Sequence, residues 1–342
     1  MSRKLLLDTT PGVDDAIALL LALRARDVDV MGVTTTFGNV DTKRATRNVL
    51  SLLELSGRSE LPVAAGALGP MSGARPRYAR HVHGKNGLGG LAFRQPRAKP
   101  LPLSAAELIV RLVMASPGEL TLVTFGPLTN LALALELEPR LAENVAAVVA
   151  LGGALEVHGN VTASAEANLF NDPLAAARVL SAGWPLTLVG LDITSRVVMT
   201  PAWLQSLRQP EQPTGELIWN ISRFSESFHF QHYGLAGLHA HAPTALAYVL
   251  APELFSVEES EILVRTRGPE RGQTTRRPIP PGLLRRAWRR IPQVCVDVDA
   301  ERVLALVRDR LLPPMAPPTV SPPALFLRED PDPAELVPGG LR

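Results

Sequence analysis

Near the amino terminus, Leu5 to Leu7 form a short apolar run and Asp8-Thr-Thr-Pro-Gly supplies turn residues. Asp14-Asp15-Ala-Ile-Ala-Leu-Leu-Leu-Ala-Leu follows with helical character and acidic residues in its first turn. The same order recurs. Val28 to Thr36 is followed by Gly38-Asn39 and a helix from about Thr42, and Leu120 to Thr124 by Phe125-Gly126-Pro127 and a helix near Thr129. Two further strands are expected, Val145 to Leu151 ending in Gly152-Gly153 and Leu186 to Leu191 ending in Asp192. Continuous apolar strands alternating with helices predict an α/β fold, a mainly parallel sheet with helices on both faces and right-handed crossovers. Ligands of such sheets sit beyond the carboxyl ends of the strands. Asp8, Asn39, Phe125, Gly152 and Asp192 are therefore expected at one edge.

A chain of 342 residues with 46% hydrophobic and 20% charged residues can bury a sizeable core. Its formal net charge of +2 argues against a general nucleic-acid binder. No run approaches the roughly 18 apolar residues of a membrane helix, so no membrane association is expected. The amino terminus lacks the apolar region of a signal peptide, and Cys295, the only cysteine, has no partner for an internal disulfide. The cytoplasm fits these features best. Nine arginines fall between Arg265 and Arg290, read as a solvated loop in preference to a phosphate-seeking patch because Trp288 is the one aromatic residue among them. Nine prolines among the last 30 residues suit an extended tail over 313–342, which leaves one domain over 1–312.

Asp8, Asp14 and Asp15 fall at a strand end or in a helix's first turn, where one carboxylate alone reads as a helix cap. Three on one loop repel one another unless a cation, a hydroxyl-rich ligand or basic neighbours offset them. In its order and spacing, Asp8-Thr-Thr-Pro-Gly-Val-Asp-Asp resembles the Asp-x-Asp-Pro-Gly-x-Asp-Asp hallmark of the inosine-uridine preferring nucleoside hydrolases. The likeness continues through Thr34-Thr-Thr-Phe-Gly-Asn-Val, Val82-His-Gly-Lys-Asn-Gly-Leu and Thr124-Phe-Gly-Pro-Leu-Thr-Asn. It extends to Gly159-Asn-Val-Thr-Ala-Ser-Ala-Glu-Ala-Asn-Leu-Phe-Asn-Asp-Pro and His241-Ala-Pro-Thr-Ala-Leu-Ala-Tyr, covering roughly Lys4 to Leu312.

The resemblance implies cleavage of the N-glycosidic bond of a ribonucleoside by water, giving ribose and free base. It implies a homodimer or homotetramer, and a Ca²⁺ at the cavity floor that holds the ribose diol and the attacking water together. Asp14, Asn39, Asn160, Glu166 and Asn168 match the family's sugar-binding positions, and amides with carboxylates offer a diol both donors and acceptors. His241 matches a histidine near the departing base, and His83 falls in a segment that resembles a loop closing over that base. Asp8 joins Asp14 and Asp15 as a candidate to activate water.

The metal set matches only in part. Asp15 stands at a ligand position, and Phe125 at one whose backbone carbonyl binds the ion. Thr10 replaces the aspartate that serves as ligand and favoured base, and Ala242 replaces a further ligand aspartate. One ligand carboxylate of three survives, so tight Ca²⁺ binding and full hydrolytic rate are not expected. Two readings follow: an impaired or atypical N-ribohydrolase, and a catalytically silent protein that holds a nucleoside or ribosyl compound. A softer metal on His239, His241 and Asp15 is the weakest variant of the first.

Overall fold

The computed structural model describes residues 2–210, 212–278, 290–312 and 326–327. A nine-stranded sheet organises it, built from β1 (Arg3–Thr9), β2 (Val28–Thr35), β3 (Val63–Ala65), β4 (Leu120–Thr124), β5 (Ala147–Leu151), β6 (Leu186–Val189), β7 (Phe255–Val264), β8 (Thr274–Pro278) and β9 (Gln293–Val298). Their spatial order is β8-β7-β9-β6-β5-β4-β1-β2-β3. Neighbours from β3 across to β9 pair in parallel, and β7 runs antiparallel to β9 and β8.

The central strands read as apolar runs because both of their faces are covered. Leu5 and Leu7 enter one core and Leu6 the other; Val123 and Leu122 divide in the same way, as do Val149 and Val148. The first core packs under α1 (Val13–Arg24), α2 (Thr42–Leu55), α6 (Pro213–Tyr233), α7 (His241–Leu250) and α8 (Ala300–Leu311). The second packs under α3 (Ala105–Ala115), α4 (Thr129–Leu137) and α5 (Pro173–Leu180). The chain is thus an α/β domain with helices on both faces of a mostly parallel sheet. No helix among the described residues is long and apolar enough to cross a membrane.

The strand alternation also sorts the amino-terminal loop. Asp8 follows Leu6 onto the second face, in register with Thr34 and Thr124. Thr9 follows Leu7 onto the first face, where α1 begins.

The arginine-rich segment departs from the loop expected of it. Within its described part, β8 pairs with β7, Arg276 pairs with both Glu156 and Glu258, and Arg277 pairs with Glu261. Glutamates on β7 and Glu156 on a neighbouring loop carry these ion pairs on an edge hairpin, a pattern that an arginine count alone conceals. Residues 279–289 lie outside the described residues. So does the proline-rich tail, except that Phe326 and Leu327 pair antiparallel with Phe93 and Ala92.

Candidate active site

At the carboxyl edge of the parallel strands lies a cavity of about 270 Å³, lined by side chains from the loops that the sequence marked. Asp14 and Asp15 reach it from the first turn of α1, whose N-cap is Gly12. A side chain at Gly12 would stand 2.5 Å from Asn39 Nδ2 and 2.9 Å from the His83 ring, so only glycine lets these two groups close over the turn. Asp14 Oδ2 accepts the Ala242 N–H at 3.1 Å, tying α1 to the start of α7.

Asp15 is more heavily engaged. Its Oδ1 accepts from Thr9 Oγ1 at 3.1 Å, and its Oδ2 from the Gly12 N–H at 3.1 Å and Asn39 Nδ2 at 2.7 Å. Burial, then the Asp14 charge, push its carboxyl well above the usual range. Asn39 is held further by Thr10, whose hydroxyl accepts the Asn39 N–H at 3.0 Å and whose carbonyl accepts from Asn39 Nδ2 at 3.1 Å.

Three of the sugar-binding candidates come from the loop after β5. Glu166 caps the short helix Ala167–Asn171: Oε1 accepts the Asn168 N–H at 2.8 Å, and Oε2 accepts those of Leu169 and Gly153 at 3.1 Å each. Burial raises its carboxyl above the ordinary value in spite of those donors. Asn168 donates to the Phe125 carbonyl at 3.0 Å and to the Leu151 carbonyl at 3.1 Å, and Asn160 Oδ1 accepts the Ala167 N–H at 2.9 Å. All three line the cavity, as does Phe125. The loop is braced by the edge hairpin, since Thr274 Oγ1 accepts the Ala154 N–H and donates to the Ala154 carbonyl, each at 3.0 Å.

Asp8 stands apart from these groups, behind the cavity wall on the second face of the sheet. It is 2% exposed, and its Oδ1 accepts from Thr34 Oγ1 at 2.6 Å and Asn130 Nδ2 at 2.7 Å. Its Oδ2 has no partner, and burial pushes the carboxyl up to about 6. The folded state therefore binds this proton more tightly than the unfolded chain, and stability falls as pH rises from about 4 to about 6. That one group removes on the order of 3 kcal/mol across the window. Denaturant melts of the protein and of Asp8→Asn, taken at several pH values, are expected to diverge by that amount; parallel curves would contradict the assignment.

The other end of the cavity is built from imidazoles. Six of the chain's seven histidines, His81, His83, His158, His229, His239 and His241, line it, and His232 stacks on the lining residue Phe228 with ring centroids 4.2 Å apart. His229, His239 and His241 follow one another at 5.5 and 5.2 Å. Burial lowers His83 to about 4, His239 to about 3 and His241 to about 4. His83 Nδ1 accepts the Val13 N–H at 3.2 Å, and His241 Nδ1 lies 2.7 Å from Thr194 Oγ1.

Every site residue expected from the sequence except Asp8 thus meets at this cavity or, as with Thr10 and Ala242, directly behind a residue that lines it. The sequence did not reveal Asn130, which besides holding Asp8 donates to the Thr35 carbonyl at 3.1 Å and accepts the Ala67 N–H at 2.9 Å. Its place in the Gly-Pro-Leu-Thr-Asn motif was the available signal. Thr194 and Ser225, whose carbonyl accepts from His229 Nδ1 at 2.7 Å, carried none.

A mostly parallel sheet whose carboxyl edge presents amides and carboxylates at one end of a cavity and imidazoles at the other defines an α/β protein whose cavity offers both hydrogen-bond donors and acceptors to a polar ligand. The chain belongs to the inosine-uridine preferring nucleoside hydrolase family, whose model matches residues 5–305. It is 40% identical over 317 residues to a probable uridine nucleosidase 2 of Arabidopsis thaliana, covering 91% of this chain and 98% of that one. It is 38% identical over 269 residues to a pyrimidine-specific ribonucleoside hydrolase, RihA, of Shewanella woodyi, covering 78% and 86%. A solved plant nucleoside hydrolase superposes with a TM-score of 0.87 at 34% identity, over 92% of this chain and 100% of that one.

Proposed function

We propose that this protein binds ribonucleosides in the cavity and hydrolyses their N-glycosidic bond slowly, by a route that does not use Ca²⁺. The convergence of Asp14, Asn39, Asn160, Glu166 and Asn168 with His241 on one cavity carries the binding half of the proposal. The sugar lies against the first set, and the base lies among the imidazoles beside Phe228 and Tyr233. Uridine is the first substrate to try, because two of the relatives described carry pyrimidine nucleosidase names.

The donor set does not suit calcium, a hard cation that takes six to eight oxygens, chiefly carboxylate. Asp15 spends both oxygens on three protein donors, and the Phe125 carbonyl accepts from Asn168. The Thr10 hydroxyl accepts from the Asn39 backbone, and Ala242 offers an N–H where a metal needs an acceptor. Among the described residues, no group of three or more histidine, cysteine or acidic side chains is placed to hold a metal.

Without the ion, this chain's own groups must do the work. Asp14 is the cavity carboxylate with fewest protein donors, and it orients and deprotonates the water that attacks C1′. The C1′–N bond breaks with its electron pair on the base, whose nitrogen takes a hydrogen bond from His241. A water activated by a carboxylate alone gives a slow reaction. The family's assembly suggests a homodimer or homotetramer, which light scattering checks, and the single buried cysteine suits the cytoplasm.

The test is base release from purine and pyrimidine ribonucleosides by the purified chain, with added Ca²⁺ and again with chelator. Slow release indifferent to both is expected, together with saturable binding of uridine. Calcium-dependent turnover would overturn the metal argument, and absence of nucleoside binding would overturn the whole reading. Binding with no release on any substrate would leave a silent ribonucleoside binder, the reading that the Thr10 and Ala242 positions favour second.

A further inference from the structure

The Thr194–His241 contact fixes which nitrogen His241 turns to the ligand. Thr194 is fully buried at the end of the short helix Leu191–Thr194, which follows β6, and its Oγ1 lies 2.7 Å from His241 Nδ1. Its backbone N–H is already spent on the Gly190 carbonyl at 3.1 Å. A hydroxyl has one hydrogen and two lone pairs, and an unpaired buried O–H costs more than an unused lone pair. His241 Nδ1 is the bonding partner of this hydroxyl among the described residues, so the hydrogen points to Nδ1. Nδ1 then acts as an acceptor, and the proton of the neutral ring resides on Nε2, the nitrogen left for the cavity that His241 lines.

We propose that Thr194 is a positioning residue that holds His241 as its Nε2–H tautomer, making the ring a fixed hydrogen-bond donor to the departing base. The alternative arrangement, with Nδ1–H donating to Thr194, would present a bare Nε2 lone pair to a base nitrogen that is gaining electrons, and the two would repel. The proposal rests on the ribonucleoside reading above for the identity of the ligand. Its tautomer statement stands independently of turnover.

The test uses the full chain labelled with ¹⁵N-histidine, with His241→Gln to assign the signal. Wild type is expected to show His241 protonated on Nε2 and unprotonated on Nδ1. Thr194→Val keeps the side chain's shape and removes the hydroxyl, and is expected to yield a tautomer mixture, whereas Thr194→Ser restores the wild-type pattern. Where release is measurable, kcat of Thr194→Val falls about 10-fold with KM little changed, and the serine variant recovers it. An Nδ1–H tautomer in wild type would overturn the proposal, as would an unchanged tautomer in folded Thr194→Val. Failure of the valine variant to fold leaves the wild-type spectrum to decide. Loss of all base release, with the Nε2–H tautomer present, would count against the hydrolase reading and not against Thr194.

Discussion

Thr10→Asp combined with Ala242→Asp is expected to make base release depend on Ca²⁺ and to raise it by about 10³-fold. The two changes place acidic groups at the positions where the resemblance drawn from the sequence implies calcium ligands. Position 242 lies in the first turn of α7, where a negative charge meets the positive end of the helix dipole, and its backbone N–H already reaches Asp14. Thr10 and aspartate are similar in size, although the Thr10 methyl packs close to Gly38 and Gly126. With Asp14 and Asp15 nearby, the variant gathers four buried carboxylates that repel one another until a cation offsets them. Its melting temperature is therefore expected to rise with added Ca²⁺, while that of the wild type stays flat. A folded double variant with no calcium response in either measurement would show that these two positions are not what separates this chain from a calcium enzyme.

Glu166→Ala is expected to be the most damaging single change at the site. The Glu166 carboxylate receives three buried backbone N–H groups, from Asn168, Leu169 and Gly153. Truncation leaves all three without partners, at about 1–3 kcal/mol for each buried group that water cannot reach. A loss of about 3 kcal/mol or more in denaturant melts follows, along with loss of nucleoside binding, because Asn168 hangs from the same turn. Glu166→Gln keeps one oxygen and is expected to fall between the two. Alanine with wild-type stability would mean that water fills the gap and that Glu166 serves the ligand more than the loop.

These two cases mark how far the sequence could be read. Apolar runs flanked by turns located β4 at Leu120–Thr124 and α2 from Thr42 as expected, because burial on both sheet faces writes an unbroken apolar signal. The expected strand end at Asp192 instead became a helical turn, in which the carboxylate accepts the Leu155 and Glu156 N–H groups at 3.0 and 2.7 Å. Chain order put Asp8 beside Asp14 and Asp15, but strand alternation sends it to the opposite face, a consequence of register that motif spacing does not express. The edge hairpin was hidden for a related reason. One strand carries glutamates and the other Arg276 and Arg277, and each half alone looks like a solvated charge run. The partners of His241 and His229 were out of reach of a linear reading: Thr194 lies 47 residues from His241, and although Asp192 marks that strand end as part of the ligand edge, nothing in the sequence ties Thr194 itself to a histidine.

The gathering of imidazoles at one cavity also bears on what the cavity rejects. Burial keeps His83, His229, His239 and His241 below their ordinary value, so these rings are uncharged near neutral pH. Among the described residues that line the cavity there is no lysine or arginine, and the acidic ones are Asp14, Asp15 and Glu166. A phosphate entering such a space would leave its hydration shell and find no counter-charge. On the ribonucleoside reading proposed above, these lining residues favour a ribonucleoside over the corresponding nucleotide, and weaker binding of uridine monophosphate than of uridine is the expected result.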